Sequence, residues 1–217
     1  MEKIIIEMCF FAFAICFFID IILYAQTGPT ARWFKLHTCV NSLIVGLTCQ
    51  NVYTMILNPQ SGFDIKNTHT DGIFTVVLHL YHCMFFELKT IDYYHHGLSV
   101  FIPVLLVPNI NYRFTSLYYF TLSGLPGGVD YFALTLVKYD YISKLTEKQV
   151  SSILNAYIRM PLGTIASFYT YTVATNESNY NKCISLYIMT FLIFANVSYF
   201  GKLSIENYGK SKYSLLH

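Results

Sequence analysis

The chain has 217 residues, 54% of them hydrophobic and only 12% charged, with a mean hydropathy of +0.45. So little polar surface cannot coat a water-soluble globule, and lipid must be the main solvent. The formal charge of +2 is dispersed, which excludes the basic stripe or patch that a nucleic-acid partner requires.

A membrane-spanning helix needs about 20 mostly apolar residues. Seven stretches come close: residues 4–25, 34–57, 72–88, 93–107, 114–138, 153–174 and 184–203. The expected fold class is therefore all-α, a polytopic membrane protein of about seven transmembrane helices. The first run is too long, and its Met1-Glu2-Lys3 start too weakly basic, for a cleaved secretory signal, so it reads as a retained span. The fourth is the shortest, interrupted by Pro103 and closed by Pro108. Loops are short throughout, which gives residues 1–33 as a first helix and loop, 34–203 as the membrane domain and 204–217 as a tail. The six cysteines, at 9, 16, 39, 49, 83 and 183, form no CxxC pair and read as small apolar residues, so no metal is expected.

Orientation follows from Lys and Arg in alternate loops, because cytoplasmic loops carry the excess. Lys3, Lys66, Arg113 and Lys182 fall on one side. Arg32, Lys35, Lys89, Lys138, Lys144, Lys148, Lys202, Lys210 and Lys212 fall on the other, nine against four. This predicts a lumenal or outside N-terminus and a cytosolic C-terminus. The loop sequon Asn176-Glu177-Ser178 then lies on the lumenal side, where Asn176 is a glycosylation candidate.

Ionisable groups inside hydrocarbon cost about 2.5–3.5 kcal/mol each on insertion scales, so they concentrate in bundle interiors and wet cavities. Here they are His37, His79, His82, Glu87, His95, His96, Asp130 and Arg159, with Asp20 near the end of the first span. With the predicted orientation, His37 and Asn41 lie in the first two turns of the second span, and His82 and Glu87 in the last two of the third. Asp92, His95 and His96 stand at the start of the fourth, while Asp130 lies roughly 12 Å inside the fifth, with Arg159 at similar depth in the sixth. Five helices thus bring polar groups to one cytosolic half-layer, as a cavity open to that leaflet requires, with His79 deeper on the face of His82. Local pairing between helices is the alternative use, with Asp130 and Arg159 as an ion pair and His37 as a structural residue.

Pro103, Pro126 and Pro161 each remove a backbone donor from a span. Pro126-Gly127-Gly128 is the strongest expected break, permitting close backbone approach or local unwinding just before Asp130.

Arg32-Trp33-Phe34 with His37, then Leu78-His79-Leu80-Tyr81-His82, then His95-His96, then Leu125-Pro126-Gly127-Gly128-Val129-Asp130-Tyr131 resemble, in order and spacing, the TLC-domain family. That family includes ceramide synthases and translocating-chain-associated membrane proteins. The resemblance implies a six-helix barrel of helices two to seven around a lipid-accessible cavity, with helix one outside, in the endoplasmic reticulum or a related membrane. It also implies that His95 and His96 match the paired histidine used in acyl transfer from acyl-CoA to a sphingoid amine. Of the family's later His-Asp and second Asp, only Asp130 is kept.

Three readings remain open. The first is a non-synthase member that binds, senses or adjusts membrane lipids, with membrane lipids as partners and no cofactor. The second is an N-acyltransferase, with acyl-CoA as substrate and His95, His96 and Asp130 as catalytic residues. The third is a di-iron lipid desaturase or hydroxylase, for which the seven histidines fall short of the usual boxes and Asp92 stands where an HxxHH box begins with His. In the first two, His37, Asn41, His79, His82, Glu87, Asp92 and Arg159 line the cavity.

Overall fold

The computed structural model describes residues 2–66, 69–103, 110 and 112–214. Among these residues the chain is helical, its one β feature being an isolated antiparallel bridge between Ile65 and Tyr112. Two long helices open it, α1 (Glu2–Thr27) and α2 (Arg32–Leu57). A 3-10 turn at Pro59–Phe63 leads to α3 (Thr70–Phe85), and α4 begins at Thr90–His96 and continues through a π-helical turn at Gly97–Phe101. α5 joins Thr115–Tyr119, a π turn at Phe120–Gly124 and Leu125–Lys138 into one rod. α6 joins Lys144–Leu154, a π turn at Asn155–Arg159 and Met160–Asn176, and α7 runs from Tyr180–Tyr213.

Each π turn ends two residues before a proline: Phe101 before Pro103, Gly124 before Pro126 and Arg159 before Pro161. A proline has no N–H for the carbonyl four residues back, and its ring crowds that carbonyl. Widening the preceding turn by one residue relieves the crowding without ending the helix. Pro126-Gly127-Gly128 accordingly does not unwind α5.

Close approach explains two of the glycines. A Cβ on Gly127 would stand 2.7 Å from Asn41 Nδ2 on α2, and one on Gly163 would stand 2.3 Å from Val197 Cγ1 on α7. Small residues at these points let backbones meet, as membrane helices require when apolar attraction between them is weak.

The apolar interior has two parts. Ala12, Cys16, Leu36, Ile44, Leu78 and Tyr81 join α1 to α2 and α3. Val52, Phe114, Tyr118, Ala166, Leu186 and Ile193 join α2, α5, α6 and α7 towards the opposite end. Large apolar side chains left facing outward, among them Phe10, Phe11, Phe18, Phe168 and Phe191, form surface suited to acyl chains rather than water. Three helices among the described residues, Lys3–Thr27, Arg32–Leu57 and Tyr180–Tyr213, are long and apolar enough to cross a bilayer. An integral membrane protein follows.

The third expected span is shorter than its sequence pattern. α3 stops at Phe85 because Phe86 turns extended, with φ −131° and ψ 151°, which puts Glu87 in the connection to α4 and outside any helix. Residues 104–107 of the fourth expected span, and Pro108, lie outside the described residues.

Candidate functional site

Where α2 and α4 begin and α3 ends, four imidazoles converge. His37 comes from α2, His79 and His82 from one face of α3 three residues apart, and His96 from α4. Ring centroids are 5.1 Å apart for His37 and His82, 5.0 Å for His82 and His96, and 5.1 Å for His79 and His96, all edge to face. Each ring is at most 8% exposed. His79 Nδ1 lies 2.7 Å from the Thr75 carbonyl, which can only accept, so that nitrogen carries the proton. His37 Nε2 and His82 Nδ1 lie 3.4 Å apart, and His96 Nδ1 lies 3.5 Å from Cys83 Sγ. His82 Nε2 meets no protein hydrogen-bond partner.

Aromatic rings enclose the cluster. Trp33 packs on His82 at 3.8 Å between centroids, and Tyr131 of α5 lies 4.3 Å from His37. Beyond Trp33 a cavity of ≈ 360 Å³ is lined by Pro29, Arg32, Trp33, Phe34, Phe86 and Lys138. Its lining is aromatic with two cationic side chains, which suits an amphipathic molecule carrying an anionic group.

An ion pair fixes one wall of this cavity. Arg32 donates from Nε to Asp20 Oδ1 at 2.7 Å and from Nη2 to Asp20 Oδ2 at 2.5 Å, and Tyr81 Oη donates to the same carboxylate at 2.7 Å. Asp20 is fully buried, so this fork pins α1 to α2 and α3. Lys35 Nζ ties the α1–α2 turn to α5, donating to Thr27 Oγ1, to Gly28 O at 3.3 Å and to Tyr139 Oη at 3.3 Å.

Asp130 and Arg159 occupy a second place, between α5, α6 and α7. They form no ion pair among the described residues. Arg159 Nη2 instead donates to Asn196 Oδ1 at 3.0 Å and to Leu122 O at 3.4 Å, the carbonyl four residues before Pro126. Asn155 Nδ2 donates to Ser151 O at 2.9 Å and reaches Asp130 Oδ2 at 3.5 Å. Asp130 Oδ1, Asn155 Oδ1 and Arg159 Nε are buried with no protein hydrogen-bond partner. Leaving such a group unsatisfied costs about 1–3 kcal/mol.

The other expected residues have local partners. Buried Asn41 accepts from Ser123 Oγ at 3.0 Å and lies against Gly127, which makes it an α2–α5 contact. Asp92 Oδ2 accepts from the Lys89 backbone N–H at 2.9 Å and caps α4. Asn176, the last residue of α6, is exposed and donates to Thr172 O at 2.8 Å. The His95 side chain lies outside the described residues. No three His, Cys, Asp or Glu side chains among the described residues gather to hold a metal ion.

Sequence reasoning passed over a buried cluster at the opposite end of the bundle. Lys66 Nζ donates to both Asp71 oxygens at 2.8 Å and to Ser116 Oγ at 3.3 Å. Ser116 Oγ donates to Asp71 Oδ2 at 2.9 Å and accepts from Asn51 Nδ2 at 3.0 Å. Lys66 reads as a loop cation and Asp71 stands one residue before the expected third span; their five-residue separation was the available signal. Comparison with protein-family models, curated proteins and solved structures finds no match for this chain.

Proposed function

We propose that the protein binds membrane lipid at the end of the bundle carrying the histidine cluster, and so senses or adjusts lipid composition. The observation that carries this reading is the aromatic, cation-edged cavity outside Trp33, backed by four buried imidazoles from three helices. Acyl chains suit the aromatic lining and an anionic headgroup suits Lys138, which is exposed at its edge, while Arg32 is already held by Asp20. The finer architecture belongs to the same proposal: about seven spans, helices two to seven as a barrel, N-terminus lumenal or outside, C-terminus cytosolic, in the endoplasmic reticulum or a related membrane. The motif resemblance to the TLC-domain family and the nine-to-four cation asymmetry support it.

Ceramide-synthase-like acyl transfer is the second reading. It is favoured by the position of His96, which shares its cluster with His79 and His82 and so has neighbours able to relay a proton.

Purification in detergent and mass spectrometry of extracted lipid test the first reading. The native protein is expected to retain lipid above the detergent background, and a Trp33→Ala, His82→Leu variant to lose most of it. Equal retention by both would refute the site. Incubation with long-chain acyl-CoA and a sphingoid base tests the second: amide product with release of the CoA thiol, abolished by His96→Ala, would establish catalysis.

A further inference from the structure

A cavity of ≈ 120 Å³ lies between α5, α6 and α7, lined by Asp130, Lys148, Ser151, Asn155 and Arg159 with α7 residues Leu203 to Asn207 at its edge. Asn155 is 2% exposed and Arg159 8%, and both are held in place, Asn155 by Ser151 and Arg159 by Asn196 and the Phe200 ring. Each nevertheless leaves one polar atom unpartnered, Asn155 Oδ1 and Arg159 Nε, and Asp130 Oδ1 is a third. Two acceptors and one donor on the lining residues therefore lack protein partners, beside room for several waters or a small organic group.

Charge narrows the occupant. Asp130 offsets Arg159, and Lys148 is paired with Glu147 at 3.2 Å, so the surroundings carry no net charge to draw in an ion. Depth narrows it further, because the α7 edge of the cavity lies where the apolar run of that helix gives way to Lys202, Glu206 and Asn207. That is the level of lipid headgroups.

We propose that this cavity binds a neutral vicinal diol. One hydroxyl donates to Asp130 Oδ1, the other to Asn155 Oδ1, and one of the two oxygens accepts from Arg159 Nε. A glycerol-type headgroup and a free polyol share that chemistry. The site uses none of the histidine-cluster residues, so its failure leaves the lipid reading there standing, and the reverse also holds.

Native mass spectrometry of the detergent-purified full chain tests it with three probes: 1-monooleoylglycerol, methyl oleate, which has the same chain without the diol, and free glycerol. Monooleoylglycerol is expected to bind at least about tenfold more tightly than methyl oleate, and Asn155→Leu to remove about tenfold, the worth of one hydrogen bond. Competition by free glycerol would support the site and identify a soluble polyol as its source; its failure to compete, with the monooleoylglycerol preference kept, would support a lipid. No preference over methyl oleate and no glycerol binding by the native protein would overturn the proposal, leaving water as the only occupant. A preference unchanged in Asn155→Leu would overturn it equally. If Asn155→Leu fails to fold, Asp130→Ala decides: loss of the preference for monooleoylglycerol supports the site, and a preference kept unchanged overturns it.

Discussion

At the end of the bundle where α3 begins, Lys66, Asp71, Ser116 and Asn51 consume one another's hydrogen-bonding capacity inside a few ångströms. At the end where α3 finishes, His82, Asp130, Asn155 and Arg159 each keep a buried atom without a protein partner. Both regions place costly polar groups among apolar helices, yet only one of them closes. A network with every lone pair and proton used acts as a lock between segments, whereas one with atoms left over is built around something else. Satisfaction, rather than burial or charge, separates the structural cluster from the candidate sites.

The largest test of that contrast is Asp71→Leu, which strands the Lys66 ammonium in the interior. A loss of about 3–5 kcal/mol is expected, read from denaturant or thermal unfolding in micelles, and Lys66→Met added to it should restore most of the loss. A cost under about 1 kcal/mol would show that this end is not locked. At the other end His82→Leu is expected to cost less than Asp71→Leu, about 1–3 kcal/mol for the lost contact with His37 Nε2, while lowering bound lipid. A large unfolding penalty there would move the histidines to the structural side.

The smallest effect belongs to the α6–α7 loop. Lys182 Nζ, 2.6 Å from Glu177 Oε2, and the Asn179 N–H, 3.0 Å from Oε1, hold the Glu177 carboxyl below its ordinary value of 4.5. A depressed carboxyl contributes stability above its ordinary value and loses it as pH falls through the lowered one. The small melting difference between the native protein and Glu177→Gln should therefore be constant near neutral pH and vanish in acid. A difference that grew in acid would contradict the assignment.

Much of the helical layout was legible in the residues. Apolar runs located the helices, but α6 begins at Lys144 and α7 continues to Tyr213, nine and ten residues beyond the expected 153 and 203, because polar helical turns carry no apolar signal; α3 ends before Glu87, where Phe86 adopts an extended backbone that hydropathy does not register. Pro103, Pro126 and Pro161 marked the places where the backbone departs from regular α geometry, and a π turn precedes each. Of the expected polar half-layer, His37, His79, His82 and His96 do meet, while Asp130 and Arg159 belong to a separate cavity and Asp92 caps its own helix.

The sequence by itself determined that this chain lives in lipid, where its helices run and which groups are costly to bury, because each of these depends on a segment's own composition and period. Only the tertiary structure decided the partners: Asp20 with Arg32 and Tyr81, Lys66 with Asp71 and Ser116, Arg159 with Asn196 rather than Asp130. Pairing depends on how far each helix is rotated about its axis against its neighbours. That rotation is set by close contacts such as Gly127 on Asn41 and Gly163 on Val197, which join residues far apart in the chain.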